Sequence, residues 1–492
     1  MKKHPVVYEI NTRIFLGRYH TEDERATLSS VPESYWQSLA DKGVNAVWLM
    51  GIWKTCPTIV DKCCFEEGLM QQYNHSLKDW QRDDVTGSPY AIDYYEINPE
   101  IAELKELRNL KKSLNEMGIS LLLDFVPNHF NADTFLLQTH PGIFLKGNDE
   151  AFRQDPHTFF QTPYHPGKYF AHGRDPFFPA WTDTIQLDYY NPGTRSFMTE
   201  QLLYIGSLCD GVRCDMAMLV LNNIFRNTWG GILNDSENAK PVTEFWKDAI
   251  EKVKSEYPDF QFIAETYWDL EWELQQLGFD FTYDKKLYDR MKQSTVKSIN
   301  LHLGAELEYQ NKLVRFIENH DEERAASVFG KEKSLAAAII MSTIPGMRLF
   351  HDGQWQGKKI RLPVQLGREP LEQPNYNYQN HYDKLLTIVN DNIFHEGEWE
   401  LLETIPSWEN NLHFENMLAW QWKKGTENLL VVVNYSSNTS QCRIKLNLEG
   451  FDENFLLEDM WDNTKYWRSC EEVQHLGLYI ELGPWQAHLL KY

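Results

Sequence analysis

The stretch ELKELRNLKKSLNEMGISLLLDFV (103–126) combines two kinds of apolar pattern. Over 103–117 the leucines recur every three or four residues, which predicts an amphipathic helix. The run SLLLDFV (120–126) is short and mostly apolar, as is typical of a strand buried in a parallel sheet. A helix that leads directly into a buried strand is the repeating unit of an α/β protein.

The same alternation continues along most of the chain. Strands are predicted at VVYEI (6–10), AVWLM (46–50), SLLLDFV (120–126), GVRCDMA (211–217), QFIAET (261–266), FDFTYD (279–284), LVRFIEN (313–319) and GMRLFHD (346–352). Helical patterns lie between several of them, at 103–117, 195–208, 242–257, 268–277 and 331–343. Eight such strands predict a closed (β/α)8 TIM barrel.

Two stretches depart from this alternation. Residues 130–187, after the third strand, are rich in Phe, Tyr, His, Pro and Gly, which predicts a small inserted subdomain. Beyond about residue 395, strand-like runs such as NLLVVVNYSS follow one another without a convincing helix, which predicts an antiparallel β-sandwich. We therefore expect a barrel of residues 1–129 and 188–394, an insertion of 130–187 and a sandwich of 395–492.

Composition excludes several classes of partner. The chain has 48 Lys and Arg against 71 Asp and Glu, a formal charge of −23, which argues against nucleic acid or an anionic membrane as a partner. No apolar run reaches the ~18 residues that span a bilayer. The seven cysteines include no CxxC pair and the N-terminus lacks a signal-peptide pattern, so we expect a cytoplasmic protein. The oligomeric state stays open.

Chemically versatile side chains cluster where the predicted strands end. They are Asp124, Asn128 and His129 after strand three, Arg213 and Asp215 on strand four, Glu265 on strand five, and His320 and Asp321 after strand seven. In an α/β barrel these ends meet at one mouth, where active sites lie. Carboxylates in that arrangement predict glycoside cleavage with retention of configuration, in which one acts as nucleophile and another as acid/base.

The spacing suggests a division of roles. Asp215 lies two residues after Arg213, so both point to the same face of an extended strand, and the guanidinium should hold Asp215 ionised as a nucleophile. Glu265 would lie beside that negative charge and near Tyr267 and Trp268, which should raise its pKa as a proton donor requires.

Four segments together resemble the conserved regions of glycoside hydrolase family 13, the α-amylase family. They are DFVPNH (124–129), GVRCDMAM (211–218), AETYW (264–268) and FIENHD (316–321), and IQLDYYNP (185–192) resembles a segment near the end of that family's inserted domain. The resemblance implies that Asp215 is the nucleophile, Glu265 the general acid/base and Asp321 the stabiliser of the transition state. It also implies that Arg213, His129 and His320 contact the sugar in subsite −1, that Tyr90 stacks on it, and that Asp124 supports Arg213.

Some positions differ from the family pattern. Met218 and Leu219 stand where typical α-amylases have Lys-His, which weakens both an endo-α-amylase and a calcium interpretation. Asn128 matches a calcium-ligand position, so calcium is possible, although no cofactor is required. The basic segment KKIRLPVQLGRE (358–369) is unusual and is either a contact for acceptor sugars or an ordinary surface loop.

Three functions remain open at the level of sequence. The first is hydrolysis of α-1,4-glucan or maltooligosaccharides through a covalent glycosyl-enzyme intermediate. The second is α-glucan transglycosylation at the same site, because water and a sugar hydroxyl compete for that intermediate. The third, less favoured because the three carboxylates are intact, is a non-catalytic glucan-binding relative.

Overall fold

Eight parallel strands close into a barrel in the computed structural model, which describes residues 2–233 and 241–492. Around the barrel the strands follow chain order, and the eighth pairs with the first. They are β1 (Val6–Asn11), β2 (Ala46–Met50), β3 (Ser120–Phe125), β4 (Gly211–Cys214), β5 (Gln261–Ala264), β6 (Phe281–Tyr283), β7 (Leu313–Arg315) and β8 (Met347–His351). Each occupies one of the predicted runs, which confirms the predicted barrel.

Helices pack around the barrel. The principal ones are α1 (Glu33–Asp41), α2 (Leu104–Glu116), α3 (Pro192–Gly206), α4 (Phe245–Glu256), α5 (Glu271–Gln276), α6 (Lys285–Gln293), α7 (Lys331–Thr343) and α8 (Tyr376–Val389). In α2 the predicted leucine stripe is the buried face. The helix predicted from residue 268 begins only at Glu271, because Trp268 and Asp269 have left-handed backbones with φ of 63° and 66°.

Several barrel strands end earlier than the sequence predicts. β4 stops at Cys214 rather than at 217, and β7 stops at Arg315 rather than at 319. After β4 the chain turns away because Met216 adopts a left-handed conformation with φ of 42°. The candidate functional residues therefore lie in turns directly beyond the strands, at the mouth of the barrel.

An inserted subdomain follows β3. Strand His129–Asn131 pairs antiparallel with Thr184–Gln186, and between them lies a three-stranded sheet of Lys146–Gly147, Tyr169–Ala171 and Phe159–Gln161. Phe130, Phe144 and Phe170 form its core and are at most 1% exposed, whereas Phe177 and Phe178 lie on its surface. The insertion is thus a packed unit above the barrel mouth.

The chain ends in the predicted β-sandwich. One sheet contains Glu398–Leu402, Met417–Lys424, Glu427–Asn434, Ala487–Lys491, Asn454–Asp459 and Lys465–Ser469, and the other contains Thr404–Ile405, Ser440–Ile444 and Leu478–Leu482. Trp420 and Trp422 pack on the barrel side, and both indole N–H groups donate to Thr343 O, at 3.1 and 2.7 Å. Ala419 faces the second sheet instead. Because strand Met417–Lys424 is buried on both faces, its sequence alternates poorly.

No helix among the described residues is long and apolar enough to cross a membrane. The domain boundaries at residues 129, 187 and 394 stay predictions.

Candidate active site

The ends of β4, β5 and β7 bring three carboxylates around one guanidinium. Arg213 Nη1 lies 2.7 Å from Asp215 Oδ1. Its Nη2 lies 2.8 Å from Glu265 Oε2 and 4.0 Å from Asp321 Oδ2. The Arg213 side chain is only 1% exposed, so these ion pairs form away from bulk water, where they are strong. The structure thus brings the predicted acidic trio together at one point.

Backbone hydrogen bonds position two of these carboxylates. The Asp215 N–H donates to Phe125 O at 2.8 Å, and the Glu265 N–H donates to Cys214 O at 3.0 Å. The left-handed turn at Met216 then directs its N–H to Glu265 Oε2, at 2.7 Å. These bonds continue the pairing of the barrel sheet beyond the strands, so the backbone of the sheet holds both residues in place.

Glu265 is a weak acid in this setting. Burial is the strongest influence and raises its pKa; Arg213 lowers it, and the charges of Asp215 and Asp321 raise it again, which leaves the pKa at about 7. The Tyr267 hydroxyl donates to Oε1 at 2.9 Å. The predicted rise in the pKa of Glu265 is confirmed, with burial as its main cause.

Arg213 is one of several influences on the pKa of Asp215. Burial raises the pKa of Asp215, and the hydrogen bond and charge of Arg213 offset that rise only in part. Asp321 and Asp124 add to the rise because they are negative as well. Arg213 thus favours the ionised form of Asp215, as expected, but burial has the larger effect on the pKa.

Tyr90 and His320 form one wall of the site. The Tyr90 hydroxyl lies 2.9 Å from His320 Nε2, and the two rings stack with centroids 5.5 Å apart. His320 Nε2 is also 3.1 Å from Asp321 Oδ2, and its Nδ1 is 2.5 Å from Glu9 Oε1. Burial alone lowers the pKa of His320, but the two carboxylates outweigh it and raise the pKa to about 10. His320 is therefore cationic at neutral pH.

Sequence reasoning missed Glu9. Glu9 lies on β1 and is fully buried, and its Oε1 forms a hydrogen bond with His320 Nδ1. A charged residue in the middle of the apolar run VVYEI was the signal that could have identified it, since a buried carboxylate needs a partner.

Asp124 supports Arg213 through an intermediate side chain. Its Oδ1 accepts a hydrogen bond from Trp48 Nε1 at 3.0 Å, and its Oδ2 accepts one from the Gly51 N–H at 2.7 Å. The Trp48 ring in turn lies 5.2 Å from the Arg213 guanidinium carbon, a cation–π distance. Burial raises the pKa of Asp124 to about 6 against the opposing charge of Arg213.

His129 and Asn128 lie where β3 enters the insertion. His129 packs against Trp181 with ring centroids 5.4 Å apart, and burial lowers its pKa to about 4 although a hydrogen bond with the Tyr90 backbone opposes the shift. Unlike His320, it is neutral at pH 7.

The Asn128 side chain contacts the insertion. Its Oδ1 accepts a hydrogen bond from Gln186 Nε2 at 2.9 Å. Over residues 2–233 and 241–492 no group of three or more His, Cys, Asp or Glu side chains is arranged to hold a metal ion. Calcium binding at Asn128 stays a prediction from the sequence.

Exposed aromatic rings flank the Glu265 side of the mouth. Trp268 is 36% exposed and makes an edge contact with Phe177, with ring centroids 5.0 Å apart. Phe177 and the neighbouring Phe178 are 68% and 69% exposed. Because Trp268 follows Tyr267, whose hydroxyl contacts Glu265, these rings lie on the Glu265 side of the site.

Comparison with known proteins identifies the family to which this barrel belongs. The family model "Alpha amylase, catalytic domain" matches residues 35–373. Alpha-amylase 3 of Dictyoglomus thermophilum is 23% identical over 404 residues, 70% of this chain and 73% of that protein. The alpha-1,4-glucan:maltose-1-phosphate maltosyltransferase of Picrophilus torridus is 21% identical over 429 residues, 82% of this chain and 60% of that one.

A solved structure matches over the whole length. The maltogenic alpha-amylase AmyB of Thermotoga neapolitana superposes with a TM-score of 0.71 at 22% identity and covers 100% of this chain and 99% of its own. The fold is therefore shared from the barrel to the sandwich. Because the family model spans more than half of the residues, the chain belongs to the α-amylase family, glycoside hydrolase family 13, and is a glycosidase-type enzyme.

Proposed function

We propose that this protein is a retaining glycoside hydrolase that cleaves α-glucosidic bonds of α-1,4-glucan or maltooligosaccharides. The observation that carries the proposal is the shared contact of Arg213 with Asp215 and Glu265, at 2.7 and 2.8 Å. One guanidinium that touches both carboxyls favours a short separation between them. Retaining enzymes need about 5–5.5 Å, whereas inverting enzymes leave room for a water.

In the first step, Asp215 attacks the anomeric carbon while Glu265 donates its proton to the glycosidic oxygen. With a pKa of about 7, roughly half of the Glu265 side chains carry a proton at pH 7 and most do so below it, as a donor requires. Arg213 Nη1 donates to Asp215 Oδ1 and so favours the ionised form that a nucleophile needs. The bond between sugar and leaving oxygen breaks as the bond to Asp215 forms, and the leaving chain departs as an alcohol.

In the second step, Glu265, now a carboxylate, accepts a proton from water, and the resulting attack on the anomeric carbon frees Asp215. Two inversions at one carbon give net retention.

Asp321 and the cationic His320 assist both steps. Burial raises the pKa of Asp321, but His320 outweighs it and holds the pKa well below its usual range, so Asp321 is an anion. With 41% of its side chain exposed, Asp321 faces the cleft, where it can bind sugar hydroxyls and favour the positive charge of an oxocarbenium-like state. Tyr90 and His129 complete the wall around the same sugar.

Transglycosylation is a second candidate, favoured by the exposed rings of Trp268 and Phe177. Flat aromatic faces on the proton-donor side can hold a sugar acceptor over the glycosyl-enzyme intermediate, where its hydroxyl competes with water. Product chromatography separates the two reactions: longer oligosaccharides indicate transfer, and only shorter ones indicate hydrolysis.

The proposal is tested by incubating the enzyme with maltooligosaccharides, glycogen and other α-glucosides. We expect turnover that Asp215→Asn lowers by orders of magnitude while folding is kept. Asp289→Asn, which changes an exposed carboxylate of α6, is the matched control and should retain full activity. Lack of turnover on the whole panel, or full activity in Asp215→Asn, would contradict the proposal.

We also propose that the enzyme works in the cytoplasm. All seven cysteines are free thiols, including the adjacent Cys63 and Cys64, which supports a reducing compartment.

A further inference from the structure

Residues 358–369, called here the strap, cross from the end of β8 to the loop that follows β2. The Thr86 N–H donates to Gln365 O at 2.8 Å, and the Gly367 N–H donates to Asp84 O at 2.8 Å. Leu366 is 1% exposed and packs in a small apolar cluster under the β2 loop. The strap is therefore joined to a segment that lies only four residues before Tyr90.

Ion pairs fix the strap at both of its ends. Arg368 makes two hydrogen bonds of 2.8 Å to the Asp84 carboxylate. Lys358, at the other end, pairs with Glu369 at 2.5 Å and so joins the two ends of the strap, and Arg18, from the loop after β1, also pairs with Glu369, at 2.9 Å. Backbone hydrogen bonds, the buried Leu366 and these ion pairs together fix the strap against the rest of the barrel. The strap is therefore not a loose surface loop.

The space between the strap and the active site is narrow. A cavity of about 20 Å³ lies between strap residues Arg361, Leu362 and Val364 and the β7 turn at Asn319 and His320. That volume holds about one water molecule. A further sugar ring cannot enter it unless the strap moves.

The direction of the substrate follows from the position of the proton donor. Glu265 protonates the leaving oxygen, so the leaving chain extends on the β5 side, past Trp268. The opposite, non-reducing end of the −1 sugar then points away from Glu265, towards His320 and the strap. The strap thus lies where a longer donor chain would continue.

Arg361 is placed to contact that end of the sugar. Among the described residues, its Nε is buried and has no hydrogen-bond acceptor. The Arg361 charge also helps to lower the pKa of Asp321, as expected if the two side chains face the same space. Acids and bases around the cavity are balanced: Glu322, Asp352 and Glu369 against Arg324, Arg361 and the cationic His320. Balanced charge suits neutral sugar hydroxyls rather than a phosphate.

We propose that the strap closes the cleft beyond subsite −1 and that Arg361 binds the terminal hydroxyls, so that the enzyme removes single glucose residues from the non-reducing ends of chains. This inference rests on the proposed glycoside hydrolysis and adds to it the class of substrate: a chain with a free end.

The first test compares three substrates of the intact enzyme: a nitrophenyl maltoheptaoside with a free non-reducing end, the same compound blocked there by an ethylidene group, and cyclomaltoheptaose. We expect glucose as the first product from the free-ended chain and cleavage at least ~100-fold slower for the other two. Comparable cleavage of all three, or maltose as the first product, would overturn the proposal. No turnover of any of them would contradict the proposed function itself and the strap with it.

The second test addresses Arg361. Loss of a charged hydrogen bond should lower kcat/KM for the free-ended chain by ~10- to 100-fold in Arg361→Ala, mainly through KM, and Arg361→Lys should recover part of it. Lys359→Ala, which changes an exposed residue of the same strap, is the matched control and should leave KM unchanged. An unchanged KM in Arg361→Ala, or an equal change in Lys359→Ala, would contradict the role given to Arg361.

Discussion

Arg213 has a dual effect on the chemistry of this site. It contacts Asp215 and Glu265 with different nitrogens, and Asp124 supports it from behind through the ring of Trp48. One buried cation thus positions both carboxyl groups, while burial and the surrounding negative charge raise the pKa of Glu265. Surroundings of this kind give chemically similar carboxyl groups different pKa values.

Glu265→Gln tests the proton donor. The substitution keeps the shape of the side chain and removes the acid, so kcat/KM for maltooligosaccharides should fall ~10²–10⁴-fold. With glucosyl fluoride the first step should be nearly unaffected, because fluoride leaves without protonation. Steady-state kinetics on both substrates measures the difference, and an equal loss on both would argue against an acid role for Glu265.

The pH profile follows from the same residue. Glu265 donates a proton only when protonated, and its raised pKa keeps it protonated up to about 7. The value of kcat/KM on maltooligosaccharides should therefore fall as pH rises through about 7. This fall reports the pKa of Glu265 in the free enzyme. With a glucosyl fluoride, the rate of the first step should not fall in this pH range, because fluoride leaves without protonation. An alkaline limit far above pH 7 on maltooligosaccharides would contradict the assignment.

At the scale of single residues, the sequence predicted the trio, Arg213, Tyr90 and the two histidines as neighbours, and the structure brings them together. It could not predict the pKa of Asp215, because that depends mainly on how deeply the side chain is buried. Glu9 was also missed, since its role depends on a contact with His320, 311 residues further along the chain.

At the scale of elements, Asp284 joins three parts of the barrel. Its side chain caps α6 by accepting from the Leu287 N–H at 3.1 Å, and it pairs with Arg315 on β7 and with His302. Burial raises the pKa of Asp284, but His302 and Arg315 outweigh it and lower the pKa to about 2.

Asp284→Asn should therefore destabilise the fold by ~3–5 kcal/mol at neutral pH, because Arg315 is left buried without its charge partner. A carboxylate with a lowered pKa stabilises the fold fully above its unfolded value of 3.8, and that contribution is lost as pH falls towards about 2. The difference in free energy of unfolding between Asp284→Asn and wild type, measured in urea, should become smaller as pH falls over that range. Asp289→Asn, an exposed position in α6, should change stability by less than ~0.5 kcal/mol. If Asp284→Asn and wild type differed in their free energy of unfolding by the same amount at every pH, this explanation would be contradicted.

The strand Met417–Lys424 holds the sandwich to the barrel. Trp422 is fully buried against Thr343, whereas Trp467 is 67% exposed on an edge strand of the same sheet. Trp422→Ala should cost ~3–5 kcal/mol, since it leaves a cavity at the contact between the two units. Trp467→Ala should cost less than ~0.5 kcal/mol. Calorimetric unfolding compares the two, and similar losses would show that burial at this contact is not what stabilises it.

Elements differ in how well their sequences reveal them. The amphipathic helix 103–117 and the apolar barrel strands were predicted because each carries its own periodicity. Strand ends were placed too late at β4 and β7, because the residues beyond them resemble strand in composition and only the turn at Met216 ends the pairing. The sandwich strands alternate poorly because Trp420 and its neighbours face the barrel while the other face meets the second sheet.

At the scale of the whole molecule, the barrel, insertion and sandwich were predicted in their order. The position of the strap was not, because it depends on contacts with the β2 loop, almost 280 residues away along the chain, such as that between Thr86 and Gln365. Residue types within the strap gave no sign of which segment it would contact. In our proposal for the strap, these contacts set the length of the substrate.

The central claim is that Asp215 carries the sugar between the two steps. A fluorinated glucosyl fluoride, whose added fluorine slows both steps while its leaving group needs no acid, should trap the intermediate. Mass spectrometry of the digested enzyme should then find one glucosyl adduct, on the peptide that contains Asp215. An adduct on Glu265 or Asp321, or turnover of the reagent to the inverted sugar with no adduct, would contradict the account.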